Sequence, residues 1–180
     1  MMFAHGELRA MQTRLLDLGE GSGKILCEAD SAEEAYAWAY NWTSMCHISL
    51  KPVLTDEESR RIINKQPRQP HVPLKPIKYN DPDGTIYMGT WKIHDKSKLA
   101  CFELFGAMSP DQDKADTGPN NKNLIRVCDM GEGTGCCIFQ SKSPADAYTW
   151  CYNWTSMGQF SIKPMLTDPQ ARAIIAAKKK

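Results

Sequence analysis

The chain of 180 residues has no long apolar run, no excess of either charge and few histidines. No stretch nears the roughly 20 consecutive apolar residues that cross a bilayer, so no membrane insertion is expected. Lys and Arg number 22 against 21 Asp and Glu, and the net charge of +1 draws the chain neither to nucleic acid nor to an anionic membrane. The one charge run, Lys178-Lys179-Lys180, reads as a solvated terminus. The start, Met1-Met2-Phe3-Ala4-His5-Gly6-Glu7, lacks a basic segment followed by an apolar one, so no secretory signal is visible. His5, His47, His71 and His94 show no paired ligand spacing, and no Cys-x-x-Cys occurs, so neither a metal nor another cofactor is expected. Cys128 and the Cys136-Cys137 pair read as core or surface thiols, because adjacent strand residues point to opposite faces.

Present instead is a repeat. Arg14 to Ile63 aligns without a gap on Arg126 to Ile175, at an offset of 112, with about half the positions identical. Asp17-x-Gly19-Glu20-Gly21-x-Gly23 matches Asp129-x-Gly131-Glu132-Gly133-x-Gly135, and Tyr40-Asn41-Trp42-Thr43-Ser44-Met45 matches Tyr152-Asn153-Trp154-Thr155-Ser156-Met157. Lys51-Pro52-x-Leu54-Thr55-Asp56 matches Lys163-Pro164-x-Leu166-Thr167-Asp168. A self-match at fixed period means two copies of one folding unit. The seven cysteines do not repeat with it: Cys27 aligns with Phe139 and Cys46 with Gly158. A disulfide framework would repeat with the fold, so free thiols in a reducing, intracellular compartment are expected. Asn41-Trp42-Thr43 and Asn153-Trp154-Thr155 fit the glycosylation sequon but fall inside an expected helix, and read as chance matches.

The second copy reads most fully. Thr85 to Ile93 is β-branched and aromatic and predicts a strand. Asp95 or Ser97 can cap a helix through Lys98 to Phe105. Ser109 to Lys122, rich in Gly, Pro, Asn and Asp, reads as a flexible polar loop. Asn123 to Met130 and Cys136 to Gln140 are strands joined by a hairpin whose three glycines allow positive φ. Ser143 caps a helix with Pro144 in its first turn; the counterpart, Ser31 with Glu34, has the spacing of a capping box. The helix stripes are Ala147, Trp150, Cys151, Trp154 and Met157, and Ala35, Trp38, Ala39, Trp42 and Met45, at the spacing of a buried face. Phe160 to Met165 is the last strand. Terminal helices start at Thr167-Asp168-Pro169 and, with Thr55 and Glu58 as a capping box, at the matching point of the first copy.

The order β-α-β-β-α-β is the ferredoxin-like split βαβ, an α+β fold with an antiparallel sheet covered by helices on one face. Residues 1–64 form the first copy, 65–83 a linker and 84–180 the second copy. The first copy has no counterpart of the first strand and most of the first helix, so an N-terminally shortened version of a longer protein is expected. The linker carries Pro67, Pro70, Pro73, Pro76 and Pro82, which forbid helix and central strand. It reads as a semi-rigid spacer, with recruitment of a partner as the other use.

No motif fixes a chemistry. The Gly-Glu-Gly-x-Gly loops join two strands rather than a strand and a helix, so they are turns and not phosphate cradles. Asp17, Glu20, Asp129 and Glu132 flank those turns, and Lys51 and Lys163 shield strand ends. No catalytic, cofactor-binding or metal residues are assigned. Tyr36, Tyr40, Tyr148 and Tyr152 stand at i and i+4 beside the tryptophan stripes, either widening the buried face or anchoring another subunit.

Tyr87-Met88-Gly89-Thr90-Trp91-Lys92-Ile93, the Gly131-to-Gly135 hairpin, the Ala147-to-Trp154 helix and the Phe160-to-Leu166 strand together resemble a small uncharacterised family of bacteria and cyanobacteria with a dimeric α/β-barrel fold. The resemblance implies no catalytic residues. As a tandem, the chain is also similar to the pyrenoid shell proteins of diatoms and related algae, which assemble into a sheet around Rubisco; that similarity implies a plastid location. The expected function is that of a non-enzymatic, self-associating structural protein whose partner is itself. The alternative is a small-molecule enzyme or binder, with a pocket between facing sheets and Trp91, His94, Cys128 and His47 as the residues to inspect.

Overall fold

The computed structural model describes residues 8–79 and 84–178. The opening segment with Phe3-Ala4-His5-Gly6, the linker residues Pro82 and Asp83, and Lys179 and Lys180 lie outside the described residues. The fold is α+β. In chain order the elements begin with β1 (Ala10–Asp17), β2 (Ser22–Glu28), α1 (Ala32–Tyr40), β3 (Leu54–Thr55), α2 (Asp56–Ile63) and β4 (Thr85–Ile93). A 3-10 turn at Asp95–Ser97 leads into α3 (Lys98–Ala107), α4 (Pro110–Thr117), β5 (Asn121–Asp129) and β6 (Thr134–Ser141). The chain closes with α5 (Pro144–Asn153), β7 (Gly158–Pro164), β8 (Leu166–Thr167) and α6 (Asp168–Ala177). Among the described residues no helix is long and apolar enough to cross a membrane.

Two compact units form, and their limits are not those of the repeat. Unit 1 takes Met1–Pro52, His71–Ile77 and Leu166–Lys180; unit 2 takes Val53–Pro70 and Lys78–Met165. The end of each copy therefore belongs to the unit built on the other. In unit 2 the five-stranded sheet has the order β3-β5-β6-β4-β7, with β4 between β6 and β7 as the ferredoxin-like topology requires. In unit 1 the order is β2-β1-β8. The exchange is reciprocal to the residue: Leu54 pairs with Cys128 and Thr55 with Val127, while Leu166 pairs with Leu16 and Thr167 with Leu15. A Leu54→Cys variant is thus expected to cross-link to Cys128 under mild oxidation, read by peptide mapping. Were Leu54 to face Leu16 of its own copy instead, that cross-linked peptide would be missing.

The hairpins form as their sequence dictates. Asp17 Oδ1 accepts the N–H groups of Gly19 at 3.0 Å and Glu20 at 3.1 Å, and Asp129 Oδ1 accepts that of Glu132 at 3.1 Å. Of the glycines read as turn formers, only Gly21 (φ 63°) and Gly133 (φ 71°) use the left-handed region. Gly135 serves close approach instead: it lies opposite Trp91, and a Cβ there would overlap the indole.

Helix starts obey their capping residues, with three corrections. Ser97 stands at the start of α3 but makes no side-chain cap bond, and Asp95 pairs with Lys98 Nζ at 2.9 Å instead of capping the helix. Thr55 and Glu58 make the reciprocal capping box of α2, and Ser143 accepts the Asp146 N–H. At α1, however, Ser31 accepts the Glu34 N–H while the Glu34 carboxylate accepts from Asp30, so the cap has no reciprocal half. The segment read as a flexible loop holds α4. A Ser109–Gln112 capping box with Pro110 in the first turn starts it, and Gly118 at φ 89° ends it.

The two copies differ where β4 has no counterpart. In unit 2 the helix-facing core joins Tyr87, Cys137, Phe139, Ala147, Trp150, Cys151 and Ile162, so Ala147, Trp150 and Cys151 of the expected stripe are buried, while Trp154 and Met157 are half-buried. In unit 1 only Ala39 of α1 is buried; Trp42 is 38% exposed and Met45 68%. Residues 46–52, which align with β7, form no strand. The cause is shared: β7 is held by β4, and among the described residues unit 1 offers no such strand to pair with or to pack α1 against. The buried stripe expected for the first copy is corrected accordingly. In the proline-rich stretch, the Leu74 N–H donates to Glu28 Oε1 at 2.7 Å and the Ile77 N–H to the Gln12 carbonyl at 3.3 Å, so part of the expected spacer is tied to unit 1.

Candidate functional site

The four tyrosines face solvent. Tyr36 and Tyr40 on α1 are 63% and 74% exposed; Tyr148 and Tyr152 on α5 are 56% and 77% exposed. Their i, i+4 spacing puts each pair on one helix face, and both faces recur at the repeat offset. Each pair thus presents an exposed, amphipathic aromatic surface on its unit.

Unit 2 also holds a charged network that sequence reasoning missed. Arg126 on β5 is only 8% exposed. Its Nε donates to both Asp56 carboxylate oxygens at 2.9 Å, and its Nη2 donates to Asp56 Oδ2 at 2.6 Å and to the Asp113 oxygens at 2.9 and 2.8 Å. Burial opposes the Arg126 charge, but hydrogen bonds and attraction from Asp56 and then Asp113 outweigh it and hold the guanidinium above its usual range. Arg60 on α2 donates to the carbonyls of Phe105 and Met108 and pairs with Asp113 at 3.4 Å. Both guanidiniums lie over the Phe105 ring, at 4.0 Å for Arg60 and 4.8 Å for Arg126. The exchanged segment thus brings its own acid to a waiting arginine. The same pairing recurs in unit 1 as Arg14 and Asp168, at 3.6 Å and more exposed. A signal was present in the sequence, since Arg14 and Arg126, and Asp56 and Asp168, share the repeat offset. Asp113 was hidden in the stretch taken for a loop.

Beside this network, between the sheet of unit 2 and its helices, opens a cleft with a cavity volume of about 50 Å³. Trp91, Phe102, Trp150, Trp154 and Phe160 form its walls and Arg126 with Cys128 part of its floor. The rings hold one another: Trp91 stacks near Phe160 with centroids 6.5 Å apart, and Trp150 meets both edge-on at 6.4 and 6.1 Å. Trp154 Nε1 donates to Asp116 Oδ2 at 2.7 Å, so α4 fixes the end of α5. Burial, then the Asp56 charge, pushes the Cys128 thiol up to about 11. Of the four residues marked for a pocket, Trp91 and Cys128 meet here. His94 follows β4 and is not among the lining residues, and His47 is exposed in the irregular stretch of unit 1. All seven cysteines are free, and no cluster of metal-binding side chains occurs among the described residues.

One family model, described as a domain of unknown function (DUF3303), matches residues 7–67 and 85–179. The two matched segments fit the tandem of one domain. No curated protein and no solved structure matches the chain.

Proposed function

The chain belongs to the DUF3303 family, and we propose that it is a non-enzymatic, self-associating structural protein whose partner is a second copy of itself. The four exposed tyrosines at equivalent places on α1 and α5 carry this reading. Tyrosine supplies large, stiff contact area at small entropic cost and concentrates at interfaces. A chain with two such faces can bind twice, and head-to-tail contacts then give an open assembly while symmetric ones give a closed one. The outer edge of β2, unpaired among the described residues, adds a template for strand pairing, and a net charge of +1 leaves little repulsion between copies. A sheet of the pyrenoid-shell kind in a plastid is the extended form of the proposal, and seven free cysteines suit the reducing interior it needs.

Replacing Tyr36, Tyr40, Tyr148 and Tyr152 together by Ser is the test. Light scattering is expected to show assembly by the natural chain and none by the variant. The unfolding midpoint should move little, since exposed substitutions lie within about 0.5 kcal/mol each. Equal assembly by both would remove the tyrosine faces from the proposal. The alternative role, the binding of a small molecule, would need a pocket of roughly 300 Å³ or more, and the cleft of unit 2 has a cavity volume of about 50 Å³.

A further inference from the structure

We infer that unit 1 accepts one added β-strand: a partner polypeptide in extended form pairs with the outer edge of β2 and carries the side-chain pattern of β4. The repeat says what belongs at that edge. In unit 2, β4 pairs with β6 on one side and β7 on the other, and Tyr87 and Trp91 pack into the helix-facing core. β2 is the counterpart of β6, α1 of α5, and residues 46–52 of β7. Among the described residues β2 pairs with β1 alone. Ser49-Leu50-Lys51-Pro52 differs from Ser161-Ile162-Lys163-Pro164 by one conservative change, yet the second is strand and the first is irregular. What the second has is β4 beside it: Ser161 pairs with Thr90, Ile162 with Gly89 and Lys163 with Met88.

The apolar lining for such a strand is kept in unit 1. Tyr87, Gly89 and Trp91 stand opposite Phe139, Cys137 and Gly135, whose counterparts are Cys27, Ile25 and Gly23. Ile162 and Trp150 become Leu50 and Trp38. Cys137, Phe139, Trp150 and Ile162 are buried, whereas Ile25 is exposed and Cys27, Trp38 and Leu50 are half-buried. An added strand pairs the open backbone edge and covers this face in one step. The register sets the partner's chemistry. A Cβ at Gly89 would come within 2.8 Å of Cys137 Sγ and 3.0 Å of Trp150, and a Cβ at Gly135 would overlap Trp91. Trp38 and Gly23 repeat both conditions, so the partner strand reads aromatic-x-Gly-x-aromatic, its alternate side chains toward α1. A second copy is not the source, because its β4 is already held between β6 and β7 and leaving would open unit 2. The tyrosine surfaces play no part, since Tyr36 and Tyr40 stand on the exposed side of α1, so strand binding and assembly fail or succeed separately.

The probe is a synthetic peptide with the sequence Thr85–Ile93, added to the full chain. Calorimetry reads affinity and stoichiometry, and amide hydrogen exchange reads the location. The expected result is saturable 1:1 binding, with new protection in β2 and in residues 46–52 and none lost in β6 or β7. The same peptide with Gly89→Val should bind at least about tenfold more weakly, because the added side chain meets Trp38, and a peptide of scrambled order should do no better. In the chain, Ile25→Asp sets a charge against the incoming strand and should abolish binding. Ile25 is exposed, so the unfolding midpoint should be kept. If that variant does not fold, the Gly89→Val peptide on the natural chain decides. No saturable binding, or equal binding of the scrambled or Gly89→Val peptide, would overturn the inference. Protection changes confined to β6 and β7 would mean that the peptide displaces β4, and would overturn it too. So would outward-facing amides of β2 protected as strongly as those of β6 before any peptide is added, since the edge would then be occupied already.

Discussion

Asp56→Ala is expected to destabilise unit 2 by about 3–5 kcal/mol, at the lower end of that range because Asp113 still faces the arginine. The reason is asymmetry. Arg126 is taken out of water by the fold and repaid by a bidentate carboxylate that arrives only when the exchanged β3–α2 segment docks. Removing Asp56 does not return Arg126 to water. It leaves a buried cation with half its partners gone. Because two units need not unfold as one, a single midpoint is the wrong readout. Amide hydrogen exchange resolved along β5 and β1 reports each unit separately. Protection should fall in β5 and be kept in β1. Asp168→Ala, the same change at the other end of the repeat, should do much less, because the Arg14–Asp168 pair is partly exposed and screened by water. Equal losses in both units would refute the claim that burial, rather than the pairing itself, sets the size of the effect.

Trp150→Ala should remove a further large share of stability from the same unit, about 3–5 kcal/mol. Trp150 is buried, meets the rings of Trp91, Phe139 and Phe160, and lies so close to Gly89 that a Cβ there would come within 3.0 Å of it. The glycine and the indole are one packing decision, and neither neighbour can move in to fill the space. Trp38 is the counterpart on α1 and is only half-buried, so Trp38→Ala should be distinctly milder. Amide hydrogen exchange resolved along α5 and α1 compares the two variants unit by unit. A cost at Trp38 equal to that at Trp150 would mean that α1 is packed as α5 is, against the exposure of Trp42 and Met45.

That contrast also marks how far local sequence reaches. The limits of β4 at Thr85 and Ile93, both hairpins and the start of α5 were legible because each rests on chemistry within a few residues: β-branched and aromatic alternation, a glycine at positive φ, a serine accepting from the third N–H. α4 was not read as a helix because it has no apolar stripe. Its stability lies in a Ser109–Gln112 box and in Asp116 reaching Asn153 and Trp154, contacts invisible to periodicity. The two-residue strands β3 and β8 were missed for the opposite reason: two residues have no period, and their partners lie about 70 and 150 positions away in sequence. With them went the exchange of ends between units and the Arg126 network. The tyrosine faces were legible as candidates from spacing alone, but their exposure depends on which side of each helix the sheet takes.

The proposal that this protein builds assemblies from its own copies is tested most directly by sedimentation velocity of the natural chain over a wide range of concentrations. The expected result is a sedimentation coefficient that climbs with concentration toward species much larger than one chain. A single boundary at the size of the monomer, unchanged from the most dilute sample to the most concentrated, would contradict it.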